Sequence, residues 1–245
     1  TLSTNITVRN NLTITSGTLD TGANKALTVT GTTTLSDDDS GADTATLTCN
    51  ASTVILGTGK TDGPALYVTE GGTFNGGSGT HTMGSIKCAN NTNAKFTNTS
   101  ATCTINGHTN DGDRMILIGP STTCVAAGTI DITSTAGLEF QCGNAAGINN
   151  LTLTGNVTYT MSDGLLMTGD LTVTSGTTLN THVGEDHELE VGGDVTVTGT
   201  LTGNASAIEF GSLTIADGAT YNATSGTTTI TAQEAVSGMG WKNEE

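Results

Sequence analysis

The chain has 245 residues, of which 34% are hydrophobic, 3% aromatic and 12% charged, with 34 glycines and only 2 prolines, a balance that excludes a thick globular core. Seven basic residues against 23 acidic ones give a net charge of -16, which repels nucleic acid and anionic lipid and excludes both as partners. No apolar run has the length of a membrane span.

Thr, Val and Ile alternate regularly along the sequence, so it reads as ordered and β-rich rather than disordered. It begins at Thr1 without an initiator Met or a signal-like segment, which reads as a mature or trimmed end.

The N-terminal TLSTNITVRN is a strand phrase whose apolar residues are Leu2, Ile6 and Val8. NLTITSGTL follows from Asn11 and a partial copy, ALTVTGTTTL, from Ala26. The loop from Asp37 to Asp43 then places four carboxylates at a Gly turn, the hard oxygen donors that Ca2+ takes. It lacks the Glu that closes an EF-hand loop. The first reading is a solvated turn, with Ca2+ held by Asp37, Asp38, Asp39 and Asp43 as the alternative.

From about 72 to 147 the strand character persists while the repeat fades. GGTFNGGSG and CANNTNAKFTNTSATC read as longer loops or irregular coils, and MILIG from Met115 as a fully buried strand. Asn110-Asp111-Gly112-Asp113 repeats the Ca2+ ambiguity with fewer ligands. Asp111, Asp113 and Arg114 form the one compact acid and base grouping, but they sit in a turn, and Trp and Tyr are too scattered to line a groove beside them. An enzyme is therefore not expected.

From Asn150 the phrase returns as NLTLTG, then DLTVTSGTTL from Asp170, DVTVTGTL from Asp194 and SLTIADGAT from Ser212, with HELEVGG from His187 beside them. These starts lie roughly 18 to 24 residues apart, the period of a coil that makes one circuit per repeat and stacks on the last. Alternation points Leu12, Ile14, Leu171, Val173, Val195, Val197, Leu213 and Ile215 inward; Thr13, Thr15, Thr172, Thr174, Thr196 and Thr198 point outward. Pairs such as Ser16-Gly17, Asn106-Gly107 and Asp217-Gly218 supply the positive φ of tight corners. No window has helical periodicity. The predicted fold is all-β: one continuous domain over 1–245, a single parallel β-solenoid (β-helix) of roughly 12 irregular coils with almost no helix. At about 4.8 Å per coil, this makes a rod of roughly 58 Å.

The repeats GDLTVTSGTTL and GGDVTVTGTLTG resemble those of bacterial and viral surface solenoids, the class of filamentous-haemagglutinin-like adhesins and phage-fibre proteins. The likeness covers about 165–231 and 5–35. It implies an extracellular, cell-surface or virion-surface location and a structural or adhesive role. It carries over no catalytic residue.

Five cysteines stand at 49, 88, 103, 124 and 142 with no CxxC pair, which argues against a zinc finger. The thiols can stack in the core as small apolar residues or pair across neighbouring coils, and one or two disulfides among Cys88, Cys103, Cys124 and Cys142 are the first reading, with the fifth cysteine buried and free or joined to another subunit. His182, Glu185, Asp186, His187 and Glu188 form the densest mixed group of metal-ligand types and read as a solvated corner before a strand. Ranks of Thr-x-Thr raise ice binding as a lower alternative, although the wandering period works against a lattice match. Sequons at Asn5, Asn90, Asn98, Asn204 and Asn222 permit glycosylation without indicating it.

A solenoid must cover or pair its end coils, and neither end of this sequence reads as a cap. The leading expectation is a non-enzymatic structural subunit of an extracellular filament, a homopolymer stacked head to tail through Leu2, Ile6 and Val8 at one end and Ile230, Val236, Met239 and Trp241 at the other. The alternative is an adhesin or phage-fibre rod segment that binds a surface glycan or receptor. No cofactor is expected beyond the Ca2+ alternative.

Overall fold

A computed structural model describes residues 1–37, 44–58, 60, 62–99, 102–107, 114–118, 122–134, 139–141, 147–182 and 184–231, with backbone alone at 114, 115, 117 and 139–141. Among the described residues every helix or strand element is a strand, and the strand pairings form two sheets of 16 and 10 strands, all of them parallel.

Parallel partners lie one circuit of the chain apart, and three sets of strands recur in order. Ile6–Val8 pairs with Leu27–Val29, that strand with Val54–Leu56, then His81–Met83 and Thr102–Ile105. The line continues through Thr123–Ile132, Ile148–Leu153, Leu171–Val173 and Leu189–Val197 to Ile208–Ile215. The second set is the 10-stranded sheet, running from Leu12–Ile14 and Thr33–Leu35 up to Thr200–Asn204 and Thr220–Ala223. The third set begins Gly17–Asp20, Ala45–Thr48, Gly72–Asn75, Lys95–Asn98 and ends on Thr228–Ile230.

The first and third sets merge into the larger sheet because Thr123–Ile132, Ile148–Leu153, Leu189–Val197 and Ile208–Ile215 run from one onto the other without a break. Shifts of register at Ala126/Thr129 and Val191/Asp194 mark two of these bends. One result is a closed pairing circuit of four strands, Ile148–Leu153, Leu165–Met167, Leu189–Val197 and Leu171–Val173. One strand per circuit enters the 10-stranded sheet, so the described residues make ten passes where roughly 12 are expected from the repeat for the full length. The difference arises in the N-terminal half, where corners are longer: hydrogen-bonded partners lie 27 residues apart at Lys25 and Ser52 but 18 apart at Asp194 and Ser212.

Period-two alternation sets the core. Leu171, Val173, Val195 and Val197 are fully buried, while Thr172 and Thr196 between them are half-buried on the outer side. Successive layers therefore stack aliphatic side chains in columns, and Phe74 lies on Phe96 with ring centroids 5.3 Å apart and planes 11° apart. The segments expected to be irregular contain strands in register: Gly72–Asn75, Lys95–Asn98 and Thr102–Ile105 all pair on both sides. In the MILIG run, Ile116 and Ile118 are fully buried.

Each repeat phrase opens on a polar residue for a physical reason. Asn150 Oδ1 accepts the Asp170 N–H at 2.8 Å, Asp170 Oδ1 accepts the Asp194 N–H at 2.9 Å, and Ser212 donates to Asp194 Oδ1 at 2.6 Å. A corner amide that the ladder leaves over is thus satisfied from the layer below. The glycines before Asp170 and Asp194 follow from the same contact, since a Cβ on Gly169 would stand 2.3 Å from Asn150 Oδ1 and one on Gly193 2.3 Å from Asp170 Oδ1.

Candidate functional site

The first and last described layers differ from all those between them in one respect: each has a layer on only one side. Ile6–Val8, Leu12–Ile14 and Gly17–Asp20 pair only with the second layer. The distal part of Ile208–Ile215, with Thr220–Ala223 and Thr228–Ile230, pairs only with the layer before it. Among the described residues their outer edges present rows of backbone donors and acceptors, except at Asp20, whose carbonyl accepts from Leu2.

Inward-facing positions at these edges lose their cover. Ile6 is 38% exposed, Ile215 44% and Ile230 54%, whereas the corresponding Val195 and Val197 are 0% exposed. Three of the four exposed large hydrophobic residues among the described residues lie on the two end layers, the fourth being Val125. Ile215 is predicted to be a buried ladder residue, and the structure corrects this: it faces inward, but its layer is the last described. Leu2, Val8, Leu12 and Leu19 are partly buried against the core at one end, as are Leu213 and Tyr221 at the other. The Leu2 N–H donates to the Asp20 carbonyl at 2.8 Å and closes the first layer.

Charge differs between the two faces. Arg9 follows Ile6–Val8 at the corner leading to Leu12–Ile14, and Asp217 occupies the corresponding corner between Ile208–Ile215 and Thr220–Ala223; both are exposed. Of the assembly residues expected from the sequence, Leu2, Ile6, Val8 and Ile230 lie on the end layers. Val236, Met239 and Trp241 lie outside the described residues. Sequence reasoning missed Ile215, Arg9 and Asp217, whose importance depends on knowing which layers come first and last.

The expected disulfides are corrected for the three cysteines that are described. Cys88, Cys103 and Cys124 carry no disulfide to one another, because they occupy different columns. Cys88 stacks between Val68 and Ile118, Cys103 between His81 and Ile130, and Cys124 on Phe96. Cys142 lies outside the described residues. Burial pushes the Cys103 and Cys124 thiols up to about 12. Cys49 is raised further, by burial first and by Cys103 second.

A polar pair interrupts the core beside these thiols. His81 Nδ1 lies 2.8 Å from Asn98 Oδ1, both side chains are fully buried, and desolvation holds the imidazole below its ordinary pKa. This burial excludes a glycan from the Asn98 sequon in the folded chain.

Of the Ca2+ candidates, Asp37 is described: its N–H donates to the Glu70 carbonyl at 2.9 Å. Asp38, Asp39, Asp43, Asn110, Asp111 and Asp113 lie outside the described residues. In the histidine group Glu185, Asp186 and Glu188 are exposed and His182 and His187 half-buried. Potential ligand atoms of His182, Glu185 and His187 all lie within 4.8 Å of one another. Asp186 turns away to accept the Ala205 N–H at 3.2 Å, and Glu188 lines a shallow depression with Glu190, Gly164 and Leu165.

None of the known protein families, curated proteins or solved structures compared with the chain matches it.

Proposed function

We propose that the chain is a parallel β-solenoid, three-sided and ten coils long, and that it serves as a non-enzymatic subunit of an extracellular filament, stacked head to tail. At about 4.8 Å per coil the described body is a rod of roughly 48 Å. The observation that carries this reading is the pair of end layers with exposed Ile6, Ile215 and Ile230 and with parallel edges that, apart from Asp20, pair on one side only among the described residues. Placing the last layer of one copy under the first of the next continues two of the three ladders: Leu213–Ile215 would meet Ile6–Val8 and Thr220–Ala223 would meet Leu12–Ile14, while the third set is closed at Asp20, whose carbonyl already accepts from Leu2. The same translation brings Asp217 to Arg9. Backbone pairing supplies the affinity in such strand addition, and the aliphatic columns supply register.

Several observations support a structural role over catalysis. Two depressions on the described surface enclose about 60 and 100 Å3, against the several hundred of a small-molecule site. The net charge of -16 disfavours nucleic acid, and no helix among the described residues is long and apolar enough to cross a membrane. The extracellular placement rests on the resemblance of the repeats to surface solenoids. The ice-binding alternative is disfavoured by hydrogen bonding: Thr174 Oγ1 donates to the Leu153 carbonyl at 2.9 Å and Thr198 Oγ1 to that of Val173 at 3.2 Å, so the second rank of hydroxyls is committed to backbone. The outer rank of the same face is also broken by Ile55 and Asp131.

Electron microscopy with sedimentation velocity tests the proposal. Filaments of uniform width that lengthen with concentration are expected. Isolated short rods at high protein concentration would overturn head-to-tail assembly and favour a fibre segment that binds a glycan or receptor.

A further inference from the structure

The loop between Thr178–Asn180 and Leu189–Val197 is shaped in a way that a solvated corner does not require. Three of its residues have positive φ: His182 at 77°, Gly184 at 91° and Asp186 at 50°. For His182 and Asp186 this is a costly backbone conformation, kept only where the surroundings hold it. Here they do. The His182 N–H donates to Asn180 Oδ1 at 2.9 Å, the His187 N–H to the Thr181 carbonyl at 3.2 Å, and Asp186 Oδ1 accepts from the next layer at Ala205. Asn180 is itself fixed by Asn204 Nδ2 at 2.7 Å, and Thr181 by the Ser206 hydroxyl at 2.7 Å.

This anchoring turns two imidazoles toward each other, with ring centroids 5.6 Å apart and planes at 57°. His182 Nδ1 and His187 Nε2 are both shielded from solvent, and neither makes a hydrogen bond. Glu185 Oε2 comes within 3.0 Å of His187 Nε2 without the alignment of a hydrogen bond. Buried nitrogen acceptors or donors left unpaired are unfavourable unless something else satisfies them. Two imidazole nitrogens and a carboxylate oxygen suit a borderline divalent ion far better than Ca2+ or Mg2+, which take all-oxygen shells. A tetrahedral ion with bonds of about 2.0–2.2 Å spaces its ligand atoms about 3.3 Å apart, so the triad needs only small side-chain rotations to close on one.

We propose that His182, Glu185 and His187 form a binding site for a single divalent transition ion of the zinc class, with water completing the coordination. The ion would close the loop on itself, joining its His182 end to its His187 end. Asn180 and Asp186 act as positioning residues, holding the backbone that presents the ligands. The proposal is independent of filament assembly, since all three ligands come from one loop of one copy.

The test is calorimetric titration of the chelator-treated full chain with Zn2+ and, in parallel, Ca2+. One equivalent of Zn2+ is expected to bind, and Ca2+ is not. His182→Ala and His187→Ala should each weaken Zn2+ binding by at least about tenfold, the scale that even outer-sphere losses reach. His108→Ala should leave it unchanged. Co2+ provides a second readout, since imidazole ligation gives visible absorption bands that both variants should lose. If a histidine variant fails to fold, Glu185→Gln, at an exposed side chain, must weaken binding and alter the Co2+ spectrum in its place. No saturable Zn2+ binding, equal binding by Ca2+, or undiminished affinity in the folded variants would overturn the proposal.

Discussion

Asp170 Oδ1 accepts the backbone N–H of Asp194, one layer further along, at 2.9 Å, and Asp194 in turn accepts from Ser212. Removing one acceptor leaves a corner amide unpaired in the layer above. Asp170→Ala is expected to cost about 1 kcal/mol, the net value of one such bond, while Asp170→Asn retains most of it. Amide hydrogen exchange localises the effect: the Asp194 amide should exchange faster in the Ala variant, and unchanged protection would remove the corner bond from the account.

Inward and outward positions of one strand should respond very differently to charge. Val197 is fully buried between Val173 and Ile215, so Val197→Asp is expected to destabilise by several kcal/mol. Thr196, flanked outwardly by Thr172 and Thr214, should tolerate Asp at a cost of about 0.5 kcal/mol. Ile215→Asp should be mild in isolated subunits and severe for assembly. Urea melts of the three variants, beside sedimentation, separate these effects.

Charge at the end faces gives the proposed filament a reciprocal test. Arg9→Glu sets like charges against each other at the junction and should shorten filaments. Adding Asp217→Arg to the same chain restores an opposite pair and should restore length. Because each subunit carries a net charge of -16, wild-type filaments should also lengthen as salt is raised from 0.01 to about 0.15 M, where the screening length falls to about 8 Å. Failure of the double variant to recover would place the junction elsewhere.

Buried thiols give the chain a sensitivity to alkali. With Cys103 and Cys124 raised from an ordinary 9.0 to about 12, the unfolded chain releases their protons above pH 9 while the folded chain retains them. Stability is therefore expected to fall as pH rises from 9 towards 12, with no contribution from these groups below pH 8. Cys103→Ala should flatten that slope. In the native state at pH 8 both thiols should resist a maleimide and react rapidly once unfolded.

The sequence and the structure agree most closely where a single strand decides the outcome. The inward Leu171 and Val173 and the outward Thr172 follow from period-two alternation alone, because the pleat leaves no other choice. Features that depend on which layer lies next to which were not legible. Cys88 and Cys103 are near in sequence yet stand in different sheets, and the corner that separates them carries no marker of its length. His81 and Asn98 are 17 residues apart and meet only because their strands belong to the same layer. The histidine loop was visible as composition, but its convergence depends on the left-handed turn at His182, which no residue preference announces.

That every strand pairing among the described residues is parallel gives the body a direction. The face that begins with Ile6 can continue its ladders only against the face that ends with Ile230, since meeting its own kind would oppose the strands. Stacking by this route has no twofold axis and no natural point of closure. A filament built this way has unlike tips, so subunits can join faster at one than at the other, and whatever anchors or blocks one tip determines the direction of growth.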